Sequence, residues 1–165
     1  MKSGHWVGRL WVAVIVAGLS WPAGWCRAGE HKVEPMTIEA LENRIQSADQ
    51  HLLVVAMAAW CTPCREELPA LTRLFEKYRD RGLQVIGISV DDQGPAGMQP
   101  IVDRLKVSFP VYWVGEEAIE HFQIRAVPLL IFVKDGRELD RFAGRRPEWR
   151  LRELFDRFVA GKPLE

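Results

Sequence analysis

Two cysteines three positions apart, Cys61 and Cys64, are the residues of this chain best suited to chemistry. They stand in the run Trp60-Cys61-Thr62-Pro63-Cys64-Arg65-Glu66-Glu67-Leu68-Pro69. The apolar stretch 52–59 in front of them reads as a strand. Behind them Leu68, Leu71, Phe75 and Tyr78 recur at helical spacing. The pair therefore falls where a strand ends and a helix begins. In a first helical turn, residues three apart have Cα atoms about 5 Å apart, a separation that a disulfide spans. Unpaired N–H groups and the helix macrodipole favour a thiolate there. Pro63 fits the same turn, because its missing N–H would have no intrahelical partner. The chemistry this predicts is thiol–disulfide exchange.

Two blander readings compete. As a staple the pair is weak: a loop this short gives roughly 2 kcal/mol by chain entropy, less than long-loop bridges. As a closed zinc site it lacks ligands, since four Cys or His are wanted and the only other cysteine is Cys26. Redox chemistry is the reading the spacing favours.

A Trp-Cys-x-x-Cys after a hydrophobic strand resembles the thioredoxin superfamily. The continuation Pro63-Cys64-Arg65-Glu66-Glu67-Leu68-Pro69 is similar to its TlpA/ResA-type branch of extracytoplasmic thiol-disulfide oxidoreductases, over roughly residues 37–160. Thioredoxins carry a buried Asp six residues before the first cysteine, where this chain has Val55. The TlpA/ResA-type pattern instead places an acid three residues after the second cysteine, here Glu67. The resemblance also makes Pro128 a cis-proline packed against the dithiol, with Trp60 on the other side. It leaves the backbone of Val127 free to pair with an extended substrate strand.

The elements around the motif follow from the rest of the chain, whose 165 residues suit one domain. Zero net charge and 48 % hydrophobic content argue against disorder and against a nucleic-acid partner. Residues 1–28 stand apart. Lys2 and Arg9 precede an uncharged run from Leu10 to Cys26, and no acid appears before Glu30. This is the build of a secretory signal cleaved after Ala28, with an uncleaved membrane anchor as the rival reading. Cleavage would remove Lys2, Arg9, Arg27 and Cys26, leaving the motif pair as the only thiols. Residues 29–36 read as a polar linker and 37–165 as the folded domain.

Thr37 suits the N-cap of a helix to about Ala48, with Ile38, Leu41 and Ile45 on one face. A strand over 83–90 ends in Asp91-Asp92; strand-end turns favour Asp, so a turn role outweighs a catalytic one. A helix carrying Ile101, Val102 and Leu105 and a strand over 109–114 follow, an extra β-α element that resembles the TlpA-type insertion. Residues 116–122 form a short helix whose His121 lacks a partner motif and reads as structural. In the stretch 124–133 Pro128 opens a strand, a place where a proline is tolerated only as the first residue or at an edge. Asp135-Gly136 marks a two-residue hairpin into a strand over 137–142. The last helix runs from Pro147 to Gly161 and buries Leu151, Leu154, Phe155 and Phe158.

The expected fold is an α/β thioredoxin-like sandwich, a central mixed sheet flanked by helices. The expected function is an exported thiol-disulfide oxidoreductase, acting as a reductant. Cys61 would be the nucleophile, Cys64 the resolving thiol and Glu67 the proton acceptor for Cys64. Trp60, Val127 and Pro128 would meet the substrate. No cofactor or metal is required, because the cysteines carry the electrons. The implied partners are protein disulfides and a membrane-bound upstream electron donor, with the protein itself a monomer in the periplasm or another extracytoplasmic space. Rival readings are a peroxiredoxin-like peroxidase, against which stands Ala58 where that group has Thr, and a copper carrier using the dithiol as soft ligands.

Overall fold

Continuous apolar runs and helical periodicity alternate along the chain, and strands and helices alternate with them. The computed structural model describes residues 32–164. Its elements are β1 (Glu34–Pro35), α1 (Ile38–Gln46), β2 (His51–Met57), α2 (Thr62–Tyr78), a 3₁₀ turn (Arg79–Arg81), β3 (Leu83–Ser89), α3 (Pro95–Leu105), β4 (Val111–Trp113), α4 (Glu117–His121), β5 (Leu129–Lys134), β6 (Arg137–Ala143) and α5 (Glu148–Val159).

Six strands form one sheet in the order β1-β4-β3-β2-β5-β6. β2, β3 and β4 are parallel, joined by helical crossovers through α2 and α3, whereas β5 runs antiparallel to β2 and pairs with β6 as a hairpin. β2 therefore lies in the middle. Leu52 to Ala58 are all buried, which is why that stretch shows no alternation. Val55, at the position of the thioredoxin acid, pairs with Gly87 and Leu130 in the sheet's interior and is 1 % exposed.

The helices bury the residues that their spacing selects. Leu68, Leu71 and Tyr78 of α2 and Leu151, Leu154, Phe155 and Phe158 of α5 are buried, with Phe75 half-buried. The two helices pack together, and the Tyr78 hydroxyl donates to Asp156 at 2.8 Å. Thr37 caps α1, accepting from the Ala40 N–H at 3.1 Å. Gly82 ends the 3₁₀ turn at φ 84°, and Asp135 and Gly136 both take positive φ in the β5–β6 turn.

One boundary differs from the sequence reading. The end of the expected linker joins the sheet: Glu34 and Pro35 pair with Tyr112 and Trp113, and Val33 is 1 % exposed. Two residues of edge strand leave too short a pattern to read. The strand that Pro128 opens runs Leu129–Lys134, and residues 124–128 form a loop past the dithiol. His121 lies on the surface, its Nε2 2.6 Å from Glu42. The signal or anchor segment, with Cys26 and the linker's first residues, lies outside the described residues.

Candidate active site

Cys61 is the N-cap of α2, in extended backbone at φ −80° and ψ 101°, and its sulfur accepts the Cys64 N–H at 3.1 Å. The two cysteines form a disulfide across a Cα separation of 5.3 Å. The strand-to-helix junction thus places the first sulfur on the helix's unpaired donors, where negative charge is favoured. Cys64 is 1 % exposed and Cys61 4 %, while Trp60 beside them is 63 % exposed.

The Val127–Pro128 bond is cis, as the resemblance implies. The Val127 carbonyl oxygen lies 3.5 Å from Cys61 Sγ. That sulfur carries no proton in the disulfide, so this is a contact; a reduced Cys61 thiol could donate there. Pro128 is buried, and its carbonyl accepts the Gly144 N–H at 2.7 Å.

The loop that follows β6 also reaches Glu67. The Arg146 N–H donates to Glu67 Oε1 at 2.6 Å, and Arg145 pairs with the neighbouring Glu66 at 3.4 Å. Arg146 packs over the Phe142 ring and donates to the carbonyls of Ala143 and Gly144, which holds the loop closed. Glu67 is 1 % exposed. Burial pushes its carboxyl up to about 7, against the opposing pull of the Arg146 N–H and the Arg145 and Arg146 charges. A surface glutamate in a charged helix would not be so placed. Nothing in the sequence marks residues 144–146 as its partners.

A second carboxylate closes on the motif from another strand. Asp91, 2 % exposed just past β3, accepts the Ala59 N–H at 2.8 Å through Oδ1 and 3.1 Å through Oδ2. Arg65 donates to the Ala59 carbonyl and to Thr62 Oγ1. The peptide groups on either side of Ala59, two residues before Cys61, are therefore held by opposite charges. Sequence reading gave Asp91 to a turn; the usable signal was an acid at the end of a strand parallel to the motif strand. Asp91 also lines a cleft of about 670 Å³, with Pro35, Met36, Asp92, Trp113 and Glu116 among its walls.

Among the described residues no three His, Cys, Asp or Glu side chains are grouped to hold a metal ion. No helix among them is long and apolar enough to cross a membrane.

Residues 32–139, well over half of the chain, match the AhpC/TSA family. The chain belongs to that family. Its curated relatives include thiol-disulfide oxidoreductases ResA. The one from Bacillus thuringiensis subsp. konkukian is 28 % identical over 102 residues, covering 61 % of this chain and 58 % of the relative. The one from Halalkalibacterium halodurans is 27 % identical over 118 residues, covering 68 % and 66 %. The chain thus spans less than two thirds of the length of these two relatives. Among solved structures, a thiol:disulfide interchange protein of the thioredoxin family from Chlorobium tepidum superposes with a TM-score of 0.62 at 20 % identity, over 72 % of this chain and 84 % of that one. StoA from Bacillus subtilis gives 0.56 at 18 % identity, over 66 % and 84 %. At these identities the likeness establishes the thioredoxin-like fold of this family member.

Proposed function

We propose that this family member is a thiol-disulfide oxidoreductase that reduces disulfides in partner proteins outside the cytoplasm. What supports it is the Cys61–Cys64 disulfide at the start of α2, with the first sulfur on a helix N–H and the Val127 carbonyl beside it. The names carried by its ResA relatives point the same way. The basic start and apolar core of residues 1–28 support export.

In the reduced protein the Cys61 thiolate attacks one sulfur of the partner's disulfide. A Cys61–partner disulfide forms, and the partner's other sulfur leaves as a thiolate that takes a proton from water. Cys64 then gives its proton to Glu67 and attacks the Cys61 sulfur. The mixed disulfide breaks, the partner's second sulfur leaves and is protonated, and the Cys61–Cys64 bond forms. Two electrons have passed from the dithiol to the partner. A membrane-bound dithiol protein returns them. Exposed Trp60 and the Val127 backbone meet the partner's chain, and Pro128, lacking an N–H, adds no competing donor beside the sulfurs.

The test is reduction of a protein disulfide such as insulin by the reduced protein, alongside partner trapping on Cys64→Ser in exported fractions. Catalysed reduction and trapped mixed disulfides are expected. Turnover of hydrogen peroxide without protein-disulfide reduction, or copper retained against a chelator by an exchange-inactive protein, would overturn the reading.

A further inference from the structure

We propose that Asp91 is a positioning residue for the dithiol: acting through the Ala59 peptide, it holds the turn that carries Cys61, and its charge biases the dithiol–disulfide equilibrium. This rests on the exchange chemistry proposed above and adds a residue from outside the motif helix.

An Asp that merely ends a strand satisfies donors on its own turn, within two or three residues. The Asp91 carboxylate takes the Ser89 hydroxyl on its own turn but also reaches Ala59, 32 residues earlier, with both oxygens. It is itself fixed. The Ser89 hydroxyl donates to Oδ2 at 2.5 Å, and the Trp113 indole N–H donates to the Asp91 carbonyl at 2.6 Å. Arg65 takes the Ala59 carbonyl, so the peptide groups flanking Ala59 cannot rotate without leaving a charged partner behind. Ala59 leads through Trp60 into Cys61, whose own N–H donates to Ala58 at 3.1 Å. The turn is thus tied to the end of β3 by a carboxylate that is 2 % exposed. A buried negative charge bonded to Ala59, two residues before a sulfur that must become a thiolate, disfavours the reduced, ionised form and so favours the disulfide. Charged groups near the same turn are Arg65, which holds Ala59, and Glu67, which is tied to Arg146.

The test compares Asp91→Asn, Ser89→Ala and, as control, Asp92→Asn, which removes the neighbouring exposed charge that makes no bond to Ala59. Each full-length protein is titrated with glutathione buffers, and its thiolate absorbance is followed against pH. Neither measurement uses a protein partner, so failure to reduce protein disulfides would count against the proposed function and leave this inference separately readable. Asp91→Asn keeps an acceptor for Ala59 but loses the charge. Its Cys61 thiol pKa should fall by about half a unit or more. Its exchange equilibrium should move about threefold or more toward the dithiol at a pH above that pKa. Ser89→Ala leaves the carboxylate less compensated and should move both readings the opposite way. Asp92→Asn should move neither. Asp91→Asn and Ser89→Ala values equal to those of the control would overturn the proposal, whatever their stability. Should Asp91→Asn not fold, the Ser89→Ala shift decides alone.

Discussion

The Arg146 N–H donates to Oε1 of Glu67 at 2.6 Å, while Oε2 of the same carboxyl is buried with no hydrogen-bond partner among the described residues. One oxygen is anchored by a loop 79 residues away, and the other is left able to take up a proton. A buried acid half-satisfied in this way is costly to ionise, which suits a group that accepts a proton during the reaction and returns it.

Stability should record that cost. Glu67 titrates near 7 in the folded protein against an ordinary 4.5, so the folded state holds the proton over a window where the unfolded chain has lost it. Stability from this group is complete below pH 4.5 and falls as pH rises toward 7, by roughly 3 kcal/mol in total at 1.36 kcal/mol per unit. Glu67→Gln removes the titration. Denaturant unfolding of the oxidised proteins at several pH values should show the wild type losing more stability across that window than the variant. Parallel curves would show that Glu67 ionises without cost.

The same residue should govern release of the partner. In single-turnover experiments the wild-type mixed disulfide should resolve faster as pH rises, with a midpoint near 7. Glu67→Gln should lose that midpoint and resolve at least about tenfold more slowly at pH 8, below the usual range for general bases because water can substitute. Its Cys61 thiol pKa should fall, since a negative charge has been removed. If neither rate nor thiol pKa moves, Glu67 is a structural acid only.

The two cysteines should behave unequally. Cys61 caps α2 and borders the Val127 carbonyl, while Cys64 lies inside the first turn at 1 % exposure. Cys64→Ser should accumulate mixed disulfides on non-reducing gels and Cys61→Ser should form few. Equal adduct levels from both variants would refute the assignment.

The hairpin turn is a test of the fold. Gly136 sits at φ 71°, its N–H donates to Ala48 at 2.9 Å, and a Cβ there would overlap the Gln46 carbonyl at the end of α1. Gly136→Ala should cost about 1–2 kcal/mol for the left-handed backbone alone, and more for the overlap with a rigid carbonyl. Thermal unfolding should show the loss. An unchanged midpoint would mean that α1 and the hairpin move apart freely.

What the sequence determined by itself is what neighbouring residues enforce on one another. The spacing of Cys61 and Cys64 before Pro63 and an apolar helix face is enough to put a disulfide on a helix N-terminus. The uninterrupted apolar residues 52–59 select a central strand, Thr37 a helix cap, and Asp135-Gly136 a tight hairpin, because each depends on local sterics or a bond within a few residues. Glu67 was legible as a residue one turn beyond Cys64. Its properties were not: burial, the Arg146 bond and a carboxyl near 7 come from a loop after β6 that approaches only once β5 and β6 have paired. Asp91 read as an ordinary turn acid until the parallel pairing of β2 and β3 set their C-terminal ends side by side, bringing it to Ala59. The edge strand at Glu34–Pro35 and the approach of Val127 to Cys61 have the same origin. Desolvation and hydrogen bonds across the fold depend on which segments pack together, and the linear chain carries that information only through the sheet order it folds into.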